Sequence, residues 1–132
     1  MTSPVVQRIK EFADLRWPDR DLPGRLRKLG EEIGELNEAA ARLCTSACFN
    51  YGKYPDPTYP DTLAANEEYE HCLSLLALEV ADVAIILQDI LIITKCDGDL
   101  TEYMDVKMEV NERREWPVHI SDVVDDEQEG SE

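Results

Sequence analysis

Residues 72–94 read CLSLLALEVADVAIILQDILIIT. A helix built from this stretch is apolar on nearly every face and belongs inside a bundle. Yet Glu79 and Asp82 sit within it, three residues apart. Side chains at i, i+3 leave a helix from one face. Burying an unpaired carboxylate is costly, so such groups are paired, protonated or bound to a metal. The stretch is long enough to span a bilayer, but Glu79, Asp82, Gln88 and Asp89 interrupt it. Each charge at mid-membrane costs roughly 2.5–3.5 kcal/mol. A buried bundle helix is the better reading, and no membrane partner is expected.

Working outward, the flanking sequence supplies more helices. Ser3-Pro4 opens a first one, with Ser as N-cap and Pro at the first helical position. It runs to about Arg16, where Trp17-Pro18 stops it, and residues 19–21 form a turn. Pro23 restarts the helix. Leu22, Leu26, Leu29, Ile33, Leu36, Ala40 and Leu43 then recur at steps of four and three, the seam of a packed helix. A second stripe, Arg25, Lys28, Glu32, Glu35, Ala39 and Arg42, belongs half-buried at the edge of the core. From Cys44 to Asp61 three prolines, a glycine and four aromatic residues break the pattern, which reads as an irregular insertion over 44–61. Asp61 can cap the next helix, which continues to about Lys95 with a candidate break near Glu70. Residues 96–99 make a turn. Asp99 with Glu102 starts a last helix, Leu100 to about Trp116, ended by Pro117. No strand-like alternation and no repeat occurs. The expectation is an all-α bundle of four to five helices, one domain over residues 1–120, with an acidic disordered tail over 121–132.

The 132 residues suffice for one domain with a core. Against 13 basic residues stand 29 acidic ones, a net charge of −16. The tail SDVVDDEQEGSE carries six of the acids, leaving −10 elsewhere. That balance argues against nucleic acid as a partner. An anionic substrate would need a metal ion to offset the repulsion. The start, MTSPVVQRIKEF, lacks an apolar signal core, so the expected location is the cytoplasm. None of the four cysteines is paired in a CxxC spacing, and reduced, mostly buried thiols fit that compartment.

Glu31, Glu32 and Glu35 lie on the helix before the apolar one, and Glu32–Glu35 repeats the i, i+3 spacing. Two carboxylate pairs facing each other across a bundle make a cage for a hard divalent cation. The alternative is structural: Lys28 or Arg25 pairs with the buried acids. On the last helix Lys107, Asn111 and Arg114 share one face, with Trp116 two residues on. Two cations and an amide on one stripe suit oxyanions such as phosphate.

Together these elements resemble the all-α nucleoside triphosphate pyrophosphohydrolases, the MazG-like family related to dimeric dUTPases. Its EExxE and ExxD signatures stand here as Glu31-Glu32-Ile33-Gly34-Glu35 and Glu79-Val80-Ala81-Asp82. RLRKLGEEIGELNEAA resembles the first motif, LALEVADVAIIL the second, and KMEVNERREW the downstream substrate-contacting segment, over roughly residues 9–117. The resemblance implies metal ligands Glu32, Glu35, Glu79 and Asp82, with Glu31 helping to orient water. It implies Mg²⁺, with Mn²⁺ as substitute, and hydrolysis of an NTP or dNTP to the monophosphate and pyrophosphate. Lys28, Lys107, Asn111 and Arg114 would contact substrate, with Trp17 or Trp116 walling the base. It also implies a homodimer or homotetramer. The gap from Glu35 to Glu79 exceeds the family's usual length, and the 44–61 segment supplies the excess. That bears on substrate choice and oligomer geometry. The rival is a non-catalytic acidic helical interaction protein that keeps the cage.

Overall fold

The structure, a computed structural model, describes residues 3–46 and 62–114, with backbone alone over 62–65. Four helices make it up: α1 Pro4–Arg16, α2 Leu22–Cys44, α3 Thr62–Ile93 and α4 Leu100–Arg113. No strand occurs among the described residues. The all-α expectation is met. The 47–61 stretch, the Asp61 cap, Trp116, Pro117 and the tail lie outside the described residues.

The helix ends follow the local chemistry. Ser3 Oγ accepts the Val6 N–H at 3.3 Å with Pro4 next in line, and Asp21 Oδ1 accepts the Gly24 N–H at 2.8 Å with Pro23 inside the turn. No break occurs near Glu70. Residues 62–93 contain neither Pro nor Gly, so nothing interrupts the backbone ladder. At 32 residues α3 is about 48 Å long. It ends at Lys95, in the left-handed region at φ 59°, with the Cys96 N–H bonded back to the Leu91 carbonyl at 3.0 Å. No helix among the described residues is long and apolar enough to cross a membrane.

The chain divides into two compact units, Met1–Leu100 and Thr101–Glu132. In the first, α2 and α1 both pack on α3, α2 far more extensively. The packed line of α2 differs from the expected leucine seam. Glu32, Ala39 and Leu43 are buried, whereas Leu22, Leu26 and Ile33 of the seam are exposed. Helix α2 is thus rotated to turn its charged stripe toward α3. On that face Arg25 comes within 3.7 Å of Asp89 of α3. In the second unit every described residue of α4 from Thr101 to Arg113 is exposed except the half-buried Asn111. The cysteines also depart from expectation, since Cys44 and Cys96 are exposed and only Cys72 of the described ones is buried.

One buried ion pair fixes the corner of this unit. Arg20 donates from Nε and NH2 to the two oxygens of Asp89, each at 2.8 Å. The two side chains are 5% and 2% exposed. Arg20 also reaches Asp14 Oδ1 at 2.9 Å and the Trp17 carbonyl at 3.3 Å. A single guanidinium therefore ties α1 and the α1–α2 turn to α3. Asp89, followed by the exposed Asp14 contact, holds the Arg20 pKa above its ordinary value. Removing one partner of a buried pair strands the other. Asp89→Asn should therefore cost roughly 3–5 kcal/mol in urea unfolding, and Asp14→Asn, at an exposed pair, less than about 1 kcal/mol.

Candidate metal centre

Where α2 packs on α3, four acids converge. One carboxylate oxygen from each of Glu32, Glu35, Glu79 and Asp82 lies within 4.8 Å of the other three. The helical spacing produces this directly: each i, i+3 pair leaves its helix from one face, and the packing brings the pairs together. Partners further along show the register. Glu32 and Glu35 meet Glu79 and Asp82, whereas Arg25, earlier on α2, meets Asp89, later on α3, so the two helices run antiparallel.

Glu32 is buried, Glu79 half-buried, and Glu35 and Asp82 exposed. Lys28 Nζ binds Glu32 Oε1 at 2.9 Å and stands 3.5 Å from Glu31. Of the two structural partners foreseen, Lys28 thus meets Glu32, and Arg25 turns to Asp89. Among the described residues no cation pairs with Glu35, Glu79 or Asp82, and Glu32 Oε2 and Glu79 Oε2 are buried without a donor. The charge of Glu32, together with the hydrogen bond Glu32 would share with it, raises the Glu35 pKa; desolvation and Glu79 add to this, and Lys28 opposes it. The cluster is short of positive charge.

A divalent ion fits this set. Opposite ligands of Mg²⁺ or Ca²⁺ stand about 4–5 Å apart, twice the metal–oxygen bond. The donors are all hard carboxylate oxygens, with no thiolate or imidazole to favour zinc. The two buried oxygens without donors are the atoms such an ion would satisfy.

A cleft of about 460 Å³ adjoins the cage and shares Glu32 and Asp82 with it. Val5, Ile9 and Phe12 of α1 form one wall, and Ile85 and Ile86 of α3 another. Trp17 meets Phe12 edge-on, ring centroids 5.9 Å apart, and Arg8, Arg25 and Lys28 bring positive charge. The volume lies in the range of about 300–1,000 Å³ usual for small-molecule sites.

Of the residues singled out from the sequence, the structure gathers Glu32, Glu35, Glu79 and Asp82 in the cage, and Lys28 and Trp17 in the adjoining cleft. Glu31 stays outside the four, with its side chain 67% exposed. Lys107 and Arg114 are exposed on or just past α4, in the second unit; Asn111 is half-buried there; Trp116 lies outside the described residues. Sequence reasoning missed Phe12, Arg8 and Arg25 as cleft residues. For Phe12 and Arg8 the amphipathic face of α1 was the only signal, and it had no partner to aim at; Arg25 stood out only as one of the α2 stripe and a candidate partner for the buried acids. Glu68 and His71 stand at i, i+3 on α3, but both are exposed and neither joins the cluster. The chain matches no protein-family model, no curated protein and no solved structure.

The raised Glu35 pKa sets a pH dependence. Glu35 takes its proton at higher pH in the folded protein than in the unfolded chain, so its contribution to metal-free stability improves as pH falls through that window. Metal binding needs the carboxylate and weakens over the same window. Added Mg²⁺ or Mn²⁺ should therefore raise the unfolding temperature at neutral pH, by an increment that shrinks on acidification. Glu35→Gln should stabilise the metal-free protein and remove the increment. Scanning fluorimetry across pH reads both, and an undiminished increment in Glu35→Gln would take Glu35 out of the ligand set.

Proposed function

We propose that the protein is a Mg²⁺-dependent nucleotide pyrophosphohydrolase of the MazG-like type, cleaving an NTP or dNTP to the monophosphate and pyrophosphate. The observation that carries this reading is the convergence of Glu32, Glu35, Glu79 and Asp82 within 4.8 Å, on the residues of the EExxE and ExxD signatures. The adjoining cleft supports it, being large enough for a small molecule and walled by Phe12 and Trp17, on which a base can stack.

Under this reading the four carboxylates hold the ion. Bound there, it supplies charge neutralisation at phosphate oxygens and a more acidic water. Glu31, outside the cage but tethered to Lys28 at 3.5 Å, is placed to orient that water or accept its proton. Lys28 holds Glu32 in position and offsets its charge against an incoming phosphate. Phe12, Trp17 and Ile85 exclude water from the nucleoside end. The assignment of phosphate contacts to Lys107, Asn111 and Arg114 rests on the family resemblance alone.

A homodimer or homotetramer belongs to the same proposal. Leu15 on α1, Leu26 and Ile33 on α2, and Leu78 and Val80 on α3 are exposed by 79, 52, 42, 64 and 51%. Apolar side chains in that number ask for a cover, and a second copy would supply further helices to the bundle.

A pyrophosphate-release screen over the common NTPs and dNTPs with Mg²⁺ and Mn²⁺ tests the activity. Glu79→Gln should keep the helical circular-dichroism spectrum and reduce turnover by roughly two orders of magnitude or more, the scale of losing one charge-stabilising group. Unchanged turnover in that variant sinks the assignment. Ion binding without release from any nucleotide would favour the non-catalytic interaction protein instead.

A further inference from the structure

Arg25 is the cleft residue that the reading above does not use. Its side chain is only 11% exposed, and its Nε is buried without a hydrogen-bond partner. Its nearest acid gives little relief. NH1 stands 3.7 Å from Asp89 Oδ2, beyond hydrogen-bond reach, and both Asp89 oxygens are already taken at 2.8 Å by Arg20. The guanidinium lies over the Trp17 ring, 5.2 Å from its centroid. Guanidinium carries five donors in a fixed plane. A buried donor such as its Nε that lacks an acceptor is costly unless something else brings one.

Its position limits what that something is. Arg25 lines the same cleft as Glu32 and Asp82. It lies about two turns before Glu32 on α2, and its neighbour Asp89 lies equally far beyond Asp82 on α3. At the helical rise this is about 10 Å from the cage. A single phosphate held at the carboxylates does not span that distance to Arg25. The far edge of a base on the same nucleotide can, across a floor of aromatic and aliphatic side chains.

We infer that Arg25 reads the edge of the base, and that the site selects bases presenting two adjacent acceptors over adenine. The inference rests on the nucleotide reading of the cleft. Guanine offers O6 and N7 to an arginine fork, and cytosine offers O2 and N3. Adenine sets an amino donor beside N7, which faces the guanidinium with a like dipole. Asp89 and Arg20 act as positioning residues: Arg20 takes both Asp89 oxygens at 2.8 Å, and Arg25 stands off at 3.7 Å, facing the cleft.

Calorimetric binding of GMP, CMP and AMP to the full chain with Mg²⁺ tests this. GMP or CMP should bind roughly tenfold or more tightly than AMP. Arg25→Gln should erase the difference while leaving Mg²⁺ affinity unchanged. Arg25→Lys keeps a cation beside Asp89 and Trp17 but loses the planar fork, so it should erase the difference too; a merely structural Arg25 would leave the ratio intact. Equal binding of all three nucleotides, binding of none, or an equal loss for all three in the variants overturns the inference. The two proposals fail separately. Pyrophosphate release without base preference removes the Arg25 inference alone, and selective GMP or CMP binding without release removes the enzyme reading alone.

Discussion

Helix α3 carries three carboxylates within an apolar run, Asp89 buried, Glu79 half-buried and Asp82 exposed, and what each one meets decides the rest of the molecule. Asp89 is neutralised from within. Arg20 reaches it from a turn 69 residues away in sequence and grips both oxygens. Glu79 and Asp82, about three and two turns earlier on the same helix, meet two more acids instead. The contrast separates, on a single helix, a carboxylate gripped by a guanidinium from two that have no cation partner among the described residues. With α2 rotated, its charged stripe faces α3, and Arg25, Lys28 and Glu32 take up their positions there.

The cage is a local cost that the surrounding packing bears. Glu35 titrates high because Glu32 and Glu79 are beside it. Only Glu32, paired with Lys28 at 2.9 Å, has a cation beside it; among the described residues Glu35, Glu79 and Asp82 have none. Strain of this kind persists only where the frame is rigid. Here the frame is an unbroken 32-residue α3 packed along most of α2, with the Arg20–Asp89 clamp closing the corner. Clamp and cage share one helix face, so loosening the clamp would let the repulsion spread the helices.

Much of this was legible in the sequence because it is local. Ser3-Pro4 announces a helix start through side-chain capping and Pro23 announces the next, and the two i, i+3 acid pairs announce a shared face. What was not legible depends on pairing at a distance. Nothing near Arg20 points to Asp89, since an arginine in a turn reads as solvated until the fold supplies its partner. The leucine seam of α2 misled for the same reason: periodicity gives a stripe, but the angle at which the stripe meets its neighbour depends on the neighbour. Phe12 and Arg25 stayed unrecognised because the cleft exists only once α1 folds back on α3.

Two anomalies of opposite sign then share one cleft. At one end, two buried carboxylate oxygens lack a donor; at the other, the buried Nε of Arg25 lacks an acceptor. They do not neutralise each other, because about 10 Å of helix separates them, and Lys28 between them is engaged with Glu32. A ligand that cures both must carry metal-bound anionic groups at one end and hydrogen-bond acceptors at the other, with a flat apolar face between for Phe12 and Trp17. Few small molecules have that polarity and that length. A nucleotide bound through its phosphates to a cation at Glu32, Glu35, Glu79 and Asp82 has both, and it would leave neither the oxygens nor the guanidinium unsatisfied.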